Sequence, residues 1–397
     1  MKTRLLSALG LIAVAATSAA TDHKQAVPLT GNILIDGPVA ISNGPLRDKV
    51  LWQYRTAAAA MRAGDYEQAK HLLDDALLTL GGIYGKDKDA KKARSNFHEE
   101  AKKTFIGEPY ERVMAYYYRG ILYWMDGEPD NARACFRSGQ LADSSVEDKY
   151  SGDYVLLDYL DGLATTKGSG DGSDAFQRAT KLSTANNHGN LPAYDLQANV
   201  LVFVEFGPGP EKYATGKYHE ELRFRVLPSP TRSAAIKVDD QATQVPAYDD
   251  LGFQATTRGG RVMDHVLGNK AVFKTTTDVA GNVGITAGLA TVAVTGGRNG
   301  TANAVGGGLA AAGILSKVIS TATTPAADTR AWDNLPCYLS FVALRLSPGQ
   351  HTAKVEFLGE GGQPVPNLTK TLSIDVPVGK TDKVVFLSDK SIDAQPK

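Results

Sequence analysis

The chain has little cysteine, no surplus of charge and no local catalytic signature, and each shortage removes a class of protein. Only Cys135 and Cys337 occur in 397 residues, so the fold is not a disulfide scaffold and its cores must hold themselves. A bridge would have to join positions roughly two hundred residues apart, and two buried free thiols are the simpler expectation. Lys plus Arg and Asp plus Glu each number 43, which leaves no net field to draw the chain to nucleic acid or to an acidic membrane surface. There is no Gly-x-Ser-x-Gly elbow, and neither cysteine has a histidine at a readable spacing. His98-Glu99-Glu100 and His219-Glu220-Glu221 lack the second histidine of a zinc-binding helix, since Lys102 and Arg223 stand four residues on. The loop Gly168 to Asp174 has neither a preceding strand nor a following Lys-Ser/Thr, so it reads as a turn capped by Ser173 or Asp174 rather than a phosphate cradle. No catalytic residue, metal or cofactor is expected.

What is present begins with an export pattern. Lys2 and Arg4 precede an apolar run from Leu5 to Ala16 and the small residues Thr17-Ser18-Ala19-Ala20, the three parts of a secretory signal peptide over 1–20. The run is shorter than the ~20 residues a spanning helix needs. No cysteine adjoins the cleavage-type site, so a lipid anchor of the bacterial kind lacks its attachment point. The expected location is the periplasm, or the outer membrane as a peripherally bound protein.

The length suggests two or three domains. Residues 21–46, rich in Gly and Pro, read as an extended leader. A helical part follows over 47–198. Leu51 to Arg62 and a second arm carrying Ala69, Leu73 and Ala76 form a first hairpin, with Gln53 where an aromatic would be expected. A charged, sign-alternating insert follows over 81–107 and suits a solvated helix. The hairpin from Gly107 to Gly139 comes next, and Tyr154 to Leu182, with Ala175 and Ala179 on its second arm, forms a third. Near Asn199 the period changes to that of strands. Val200 to Phe206, Leu222 to Leu227, Ala234 to Val238 and Val272 to Thr276 make a first part of a β domain over 199–278. Tyr338 to Leu346, His351 to Leu358, Thr371 to Val376 and Lys383 to Leu387 make the second part over 328–397. Short alternating strands with Gly and Pro turns favour an antiparallel sandwich. Between the halves, 279–327 is rich in Gly and Ala; its core, 279–319, is similar to a glycine-zipper hairpin that would pack on the sandwich or on another chain. The fold class expected is α+β.

The central hairpin sets the architecture. Tyr116, Gly120 and Tyr123 on its first arm and Ala132, Phe136 and Gly139 on its second resemble the tetratricopeptide repeat, whose unit places aromatic and small residues at these spacings. The resemblance implies a stack of about three helical hairpins, with Gly120 and Ala132 at the closest approach of two arms. It also implies a concave face bearing Met114, Tyr117, Ile121 and Trp124, joined by Tyr54, where such proteins hold peptides. Such an apolar row must be covered, either by a partner segment or by the chain's own β domain. Glu108 and Glu111 lie in the first helical turn beside Pro109, where carboxylates suit the helix dipole better than acid–base chemistry.

Gly107-Glu108-Pro109-Tyr110-Glu111-Arg112, the stretch Val202 to Lys212 and Asp328 to Pro336 occur together and in order. They resemble a bacterial envelope family, often lipid-anchored, that joins a tetratricopeptide-like part to a β-rich part. The resemblance implies location and architecture and no activity. Asp328, Arg330 and Trp332 form a secondary binding candidate, to be set against an Asp–Arg pair with Trp332 plugging the sandwich end. The functional expectation is a protein-interaction scaffold in the cell envelope, binding a protein or peptide, not an enzyme and not a nucleic-acid binder. The alternative is an assembly subunit that oligomerises, or associates peripherally with a membrane, through 279–319.

Overall fold

The computed structural model describes residues 29–84, 103–143, 152–186, 189–217, 219–239, 241–258, 327–379 and 381–391. The expected signal peptide, most of the charged insert, the strand expected at Val272 to Thr276 and the Gly/Ala-rich stretch lie outside them.

Helices come first: α1 (Ile33–Asn43), a 3-10 turn at Leu46–Asp48, α2 (Lys49–Ala63), α3 (Tyr66–Tyr84), α4 (Pro109–Met125), α5 (Pro129–Asp143), α6 (Val155–Lys167) and α7 (Ser173–Asn186). The pairs α2/α3, α4/α5 and α6/α7 pack closely, and α3 meets α4 as α5 meets α6, so three hairpins stand in a row. Local chemistry sets their ends. Gly64 takes φ +77° beyond α2 and returns its N–H to Ala60 and Met61, the left-handed stop that glycine adopts without a Cβ penalty. At α4, Pro109 opens the helix and the Glu111 carboxylate accepts the Glu108 N–H at 2.6 Å, as a capping box requires. At α7 the Ser173 N–H donates to Asp171, so the side chain meeting this end is that of Asp171 rather than Ser173 or Asp174.

Two helical expectations change. The leader is not extended throughout, because Ile33–Asn43 is helical despite Pro38. Gly37 allows this: a Cβ there would lie 1.9 Å from Thr56 Oγ1, so only glycine lets α1 lie against α2. In the central hairpin the tightest approach of Gly120 is to Phe136 rather than Ala132, since an added Cβ would meet the ring at 2.6 Å. Gly162 of α6 bears the same relation to Phe176 of α7, where an added Cβ would meet the ring at 3.0 Å.

The remaining elements are β1 (Val200–Pro208), β2 (Glu211–Thr215), β3 (Glu221–Arg225), β4 (Ser233–Val238), β5 (Gln241–Pro246), β6 (Asp249–Asp250), α8 (Leu251–Arg258), β7 (Pro336–Leu344), β8 (Gly349–Leu358), β9 (Lys370–Val376) and β10 (Lys383–Ser388). One sheet has the order β10-β1-β7-β6, a second β5-β4-β8-β9, and β2 and β3 pair by themselves. The antiparallel expectation holds for the second sheet and fails for the first, where β1 and β10 run parallel.

β1 explains the layering. Every residue from Val200 to Phe206 is buried, and side chains alternate between faces with period two. Val200, Val202, Val204 and Phe206 belong to the core shared with Ile236, Val355 and Ile374 of the second sheet. Leu201 and Phe203 belong to the core shared with Tyr54, Met114 and Trp124 of the helices. The molecule is therefore α+β in three layers, helices on sheet on sheet, with β1 covered on both sides as an unbroken apolar run implies. Among the described residues, no helix is long and apolar enough to cross a membrane. Both cysteines are free, Cys337 buried and Cys135 half-buried.

Candidate functional site

The expected concave row is buried by the first sheet. Tyr54, Met114, Tyr117, Ile121 and Trp124 are each at most 1% exposed. Three phenylalanines stand abreast on neighbouring strands, Phe386, Phe203 and Phe341, and each receives a tyrosine from the helices. Tyr118 meets Phe386 at 6.1 Å, Tyr117 meets Phe203 at 6.2 Å and Tyr159 meets Phe341 at 5.9 Å between ring centres. Trp124 lies 6.4 Å from Phe203 and donates its indole N–H to Asp382 at 3.0 Å. Of the two ways to cover the row, the chain's own strands fill it. The sequence carried a signal for this in Val200 to Phe206: seven residues with no polar alternation except Glu205 need two buried faces.

The secondary candidates lie against the same helices. Trp332 stacks on Tyr54 at 4.4 Å and 17°, so it closes the helix–sheet seam rather than the sandwich end. Its backbone N–H donates to Glu111 Oε1 at 2.7 Å. Asp328 and Arg330 do pair, at 2.6 Å, and Arg330 also bonds Asp48 and the Lys103 carbonyl. The segment from Asp328 to Pro336 is thus a strap over α2 and the start of α4.

Buried charges line the seam, and sequence reasoning missed most of them. Glu205 accepts from Arg62 Nε at 2.6 Å and from the Tyr118 hydroxyl. Burial, then the Glu205 charge, pushes the Tyr118 phenol well above its ordinary range. Lys212, 2% exposed, donates to Glu111 at 2.6 Å and to the Arg330 carbonyl at 3.0 Å. Asp249 of β6 accepts the N–H groups of Val155 and Leu156 at 2.8 and 2.9 Å, capping α6 from another layer. Burial pushes its carboxyl up to about 7 against those two amides, with Asp153 and Asp143 adding like charge. A charge inside an apolar strand, as Glu205 is, was the available signal, since it must find a partner.

A cleft of about 450 Å³ opens at this seam between α2, the β1–β2 turn and the strap. Trp52, Pro210, Leu227 and Ala331 give it apolar wall, and Arg55, Lys212, Arg330 and Asp333 give it charge. The Arg55 guanidinium sits 5.2 Å over the Trp52 ring and donates to the Ala331 carbonyl and to Asp333. Arg55 Nε and the neighbouring Asn334 Oδ1 are buried without a partner, and Asn334 is held there by its bond to the Arg55 carbonyl. Trp52 is half-buried, whereas the other two tryptophans, Trp124 and Trp332, are 1% exposed.

A Ser–His–Asp array also forms, remote in sequence from any nucleophile motif. His351 Nδ1 faces Asp239 at 2.8 Å, and Nε2 faces the Ser347 carbonyl at 2.8 Å and its hydroxyl at 3.5 Å. Both ring nitrogens thus face oxygen acceptors, which favours the protonated ring and raises its pKa, the Asp239 bond first and the Ser347 carbonyl second. A general base needs a free lone pair on the nitrogen facing the nucleophile. The array ties two turns together. No group of three or more His, Cys, Asp or Glu side chains suited to a metal ion occurs among the described residues.

Comparison with protein-family profiles, curated proteins and solved structures finds no match to this chain.

Proposed function

We propose that the chain is an exported envelope protein of tetratricopeptide-like build that acts as a binding module for an extended segment of a partner protein, held in the seam cleft. It is not an enzyme in this reading, and its location in the periplasm or against the outer membrane rests on the residue pattern of 1–20. The recurrence of the glycine-under-phenylalanine contact, Gly120 with Phe136 and Gly162 with Phe176, supports the repeat reading. The concave row is occupied by the chain's own strands, so the interaction surface moves to the cleft.

The observation that carries the proposal is the cleft's composition. An aromatic platform, Trp52, lies under the guanidinium of Arg55 and beside the exposed Asp333, with Pro210, Leu227 and Ala331 as apolar wall. Trp with Arg is the combination that anchors protein partners. The charges of Arg55, Arg330 and Lys212 are met within the protein by Asp333, Asp328, Asp48 and Glu111, which disfavours a highly charged ligand.

Panning a library of random linear peptides on the purified protein tests this. Selected peptides should shift tryptophan emission, because Trp52 is the tryptophan that reaches solvent. Trp52→Ala should weaken their binding by about thirtyfold, the loss of an anchor contributing ~2 kcal/mol, with the thermal midpoint unchanged. Peptides that bind Trp52→Ala as well as the parent protein would exclude the cleft.

A further inference from the structure

The outer face of α1 is unlike the rest of the surface. Residues 29–46 contain one charged side chain, Asp36, and it is turned inward, accepting from the Thr30 and Gly31 N–H groups and from the Thr30 hydroxyl. Everything this stretch exposes is uncharged, in a chain with 22% charged residues. Leu29 is 58% exposed, Ile35 56%, Val39 38% and Leu46 72%. Ile35, Val39 and Ser42 recur at i, i+4 and i+7, so they form one stripe on the side away from Gly37 and Ala40, which meet the protein. α1 also packs beside α2 at the start of the helical row. The end helix of such a row normally shows a polar outer face, because nothing further covers it.

We infer that this stripe is a homotypic interface, in which α1 of one copy packs against α1 of a second copy about a two-fold axis. Symmetry selects this occupant. A two-fold contact sets each residue near the axis against its own copy, so any charge there would meet its like. A surface stripped of charge over eighteen residues, on a chain with equal numbers of acidic and basic residues, meets that demand. The second α1 would supply the next layer of the row, and the small Ser42 beside Ile35 and Val39 leaves room for ridges to seat in grooves. The contact is small. An eleven-residue helix is roughly 16 Å long, and the patch falls below the ~800 Å² per partner of a standard stable interface. The dimer is therefore expected to be weak and to form only at high protein concentration.

Sedimentation velocity across the micromolar to submillimolar range reads this directly. The weight-average mass should rise with concentration from monomer toward twice that value, and Val39→Glu should hold the protein monomeric throughout, with circular dichroism and thermal midpoint unchanged. A second variant guards against misfolding: Val39→Cys in a Cys135→Ser background should form a disulfide-linked dimer on oxidation, while the Cys135→Ser parent should not. A parent protein that stays monomeric at every concentration overturns the inference. So does a dimer that survives Val39→Glu, which would place the contact elsewhere. A monomer that floats with phosphatidylcholine vesicles and loses this with Val39→Glu would give the face to a lipid surface instead, and the homotypic reading would fall.

Discussion

The sheet β10-β1-β7-β6 has two faces that the protein uses differently. Toward the second sheet it offers Val200, Val202, Val204 and Phe206 and meets Ile236, Val355 and Ile374, and there the buried charge of Lys370 on β9 is bonded to the Ser388 carbonyl of β10. Toward the helices it offers Leu201 and Phe203 with Glu205 in the same stripe, and there Arg62, Tyr118, Trp124 and Asp382 are bonded across the seam. Apolar packing is non-directional and tolerates small slips. A buried ion pair adds little net stability, because desolvation opposes it, yet it penalises every arrangement that parts the two charges. The largely apolar face supplies stabilisation, and the mixed face fixes how the helices sit on the sheet.

The largest expected effect tests that division. Glu205→Leu strands Arg62, 9% exposed at its side chain, and should lower unfolding free energy by about 3–5 kcal/mol. If the network acts on orientation rather than stability, adding Arg62→Met and Tyr118→Phe should recover most of the loss in urea unfolding. A triple variant as unstable as the single one would break the comparison. Next, Trp124→Ala should cost about 3–5 kcal/mol as a large-to-small change that also removes the indole donor from Asp382, whereas Ile374→Val on the side of the second sheet should cost about 0.5–1.5 kcal/mol. The Trp124 variant should also become easier to cut by protease between α7 and β1, where the layers join.

How far these arrangements were legible depends on the range of the interactions that make them. The hairpins at Leu51, Gly107 and Tyr154 show in the sequence because helix period and glycine stops are local. The strands Val200 to Phe206 and Thr371 to Val376 show for the same reason. α1 was hidden by Gly37 and Pro38, which break helices in isolation; Gly37 is there because Thr56 of α2 comes within reach. The short strands β2, β5 and β6 carry no alternation and exist through their partners. The cleft was invisible because Trp52, Pro210 and Arg330 come from three distant segments. Of the expected site, the aromatic row was found and its cover was left open, since β1 reaches it only in three dimensions.

A third test uses the edge of the same sheet. Burial holds the Asp249 carboxyl near 7, above its ordinary value, so the folded state binds more protons than the unfolded state between those limits. Stability should therefore fall as pH rises from the ordinary carboxylate range to about 7, and level off above it. Asp153 and Asp143, the charges beside it, act in the same direction. Urea midpoints measured from pH 5 to 8 should show this decline, and Asp249→Asn should flatten it. The smallest effect belongs to the second sheet's turns. His351 has a raised pKa, so its contribution is present below the unfolded value and is lost as pH rises through the folded one. Asp239 is 57% exposed at its side chain, so the change in stability should be slight. The expected signature is a histidine resonance titrating above the usual range, moving back down in Asp239→Asn.

The order of strands around β1 has a consequence for the chain as it is made. β1 is complete at Pro208, but its neighbours β7 and β10 begin at Pro336 and Lys383. A ribosome must add well over a hundred residues before either edge of β1 is paired, and nearly the whole chain before Phe386 reaches Tyr118. Throughout that interval the tyrosines and tryptophan of the helical row face solvent, together with two bare strand edges, the surfaces on which nascent chains aggregate and to which holding chaperones bind. Truncation just before Lys383 would leave the β10 edge of β1 bare and Tyr118 without Phe386, so the last strand completes the shelter of the first half of the protein.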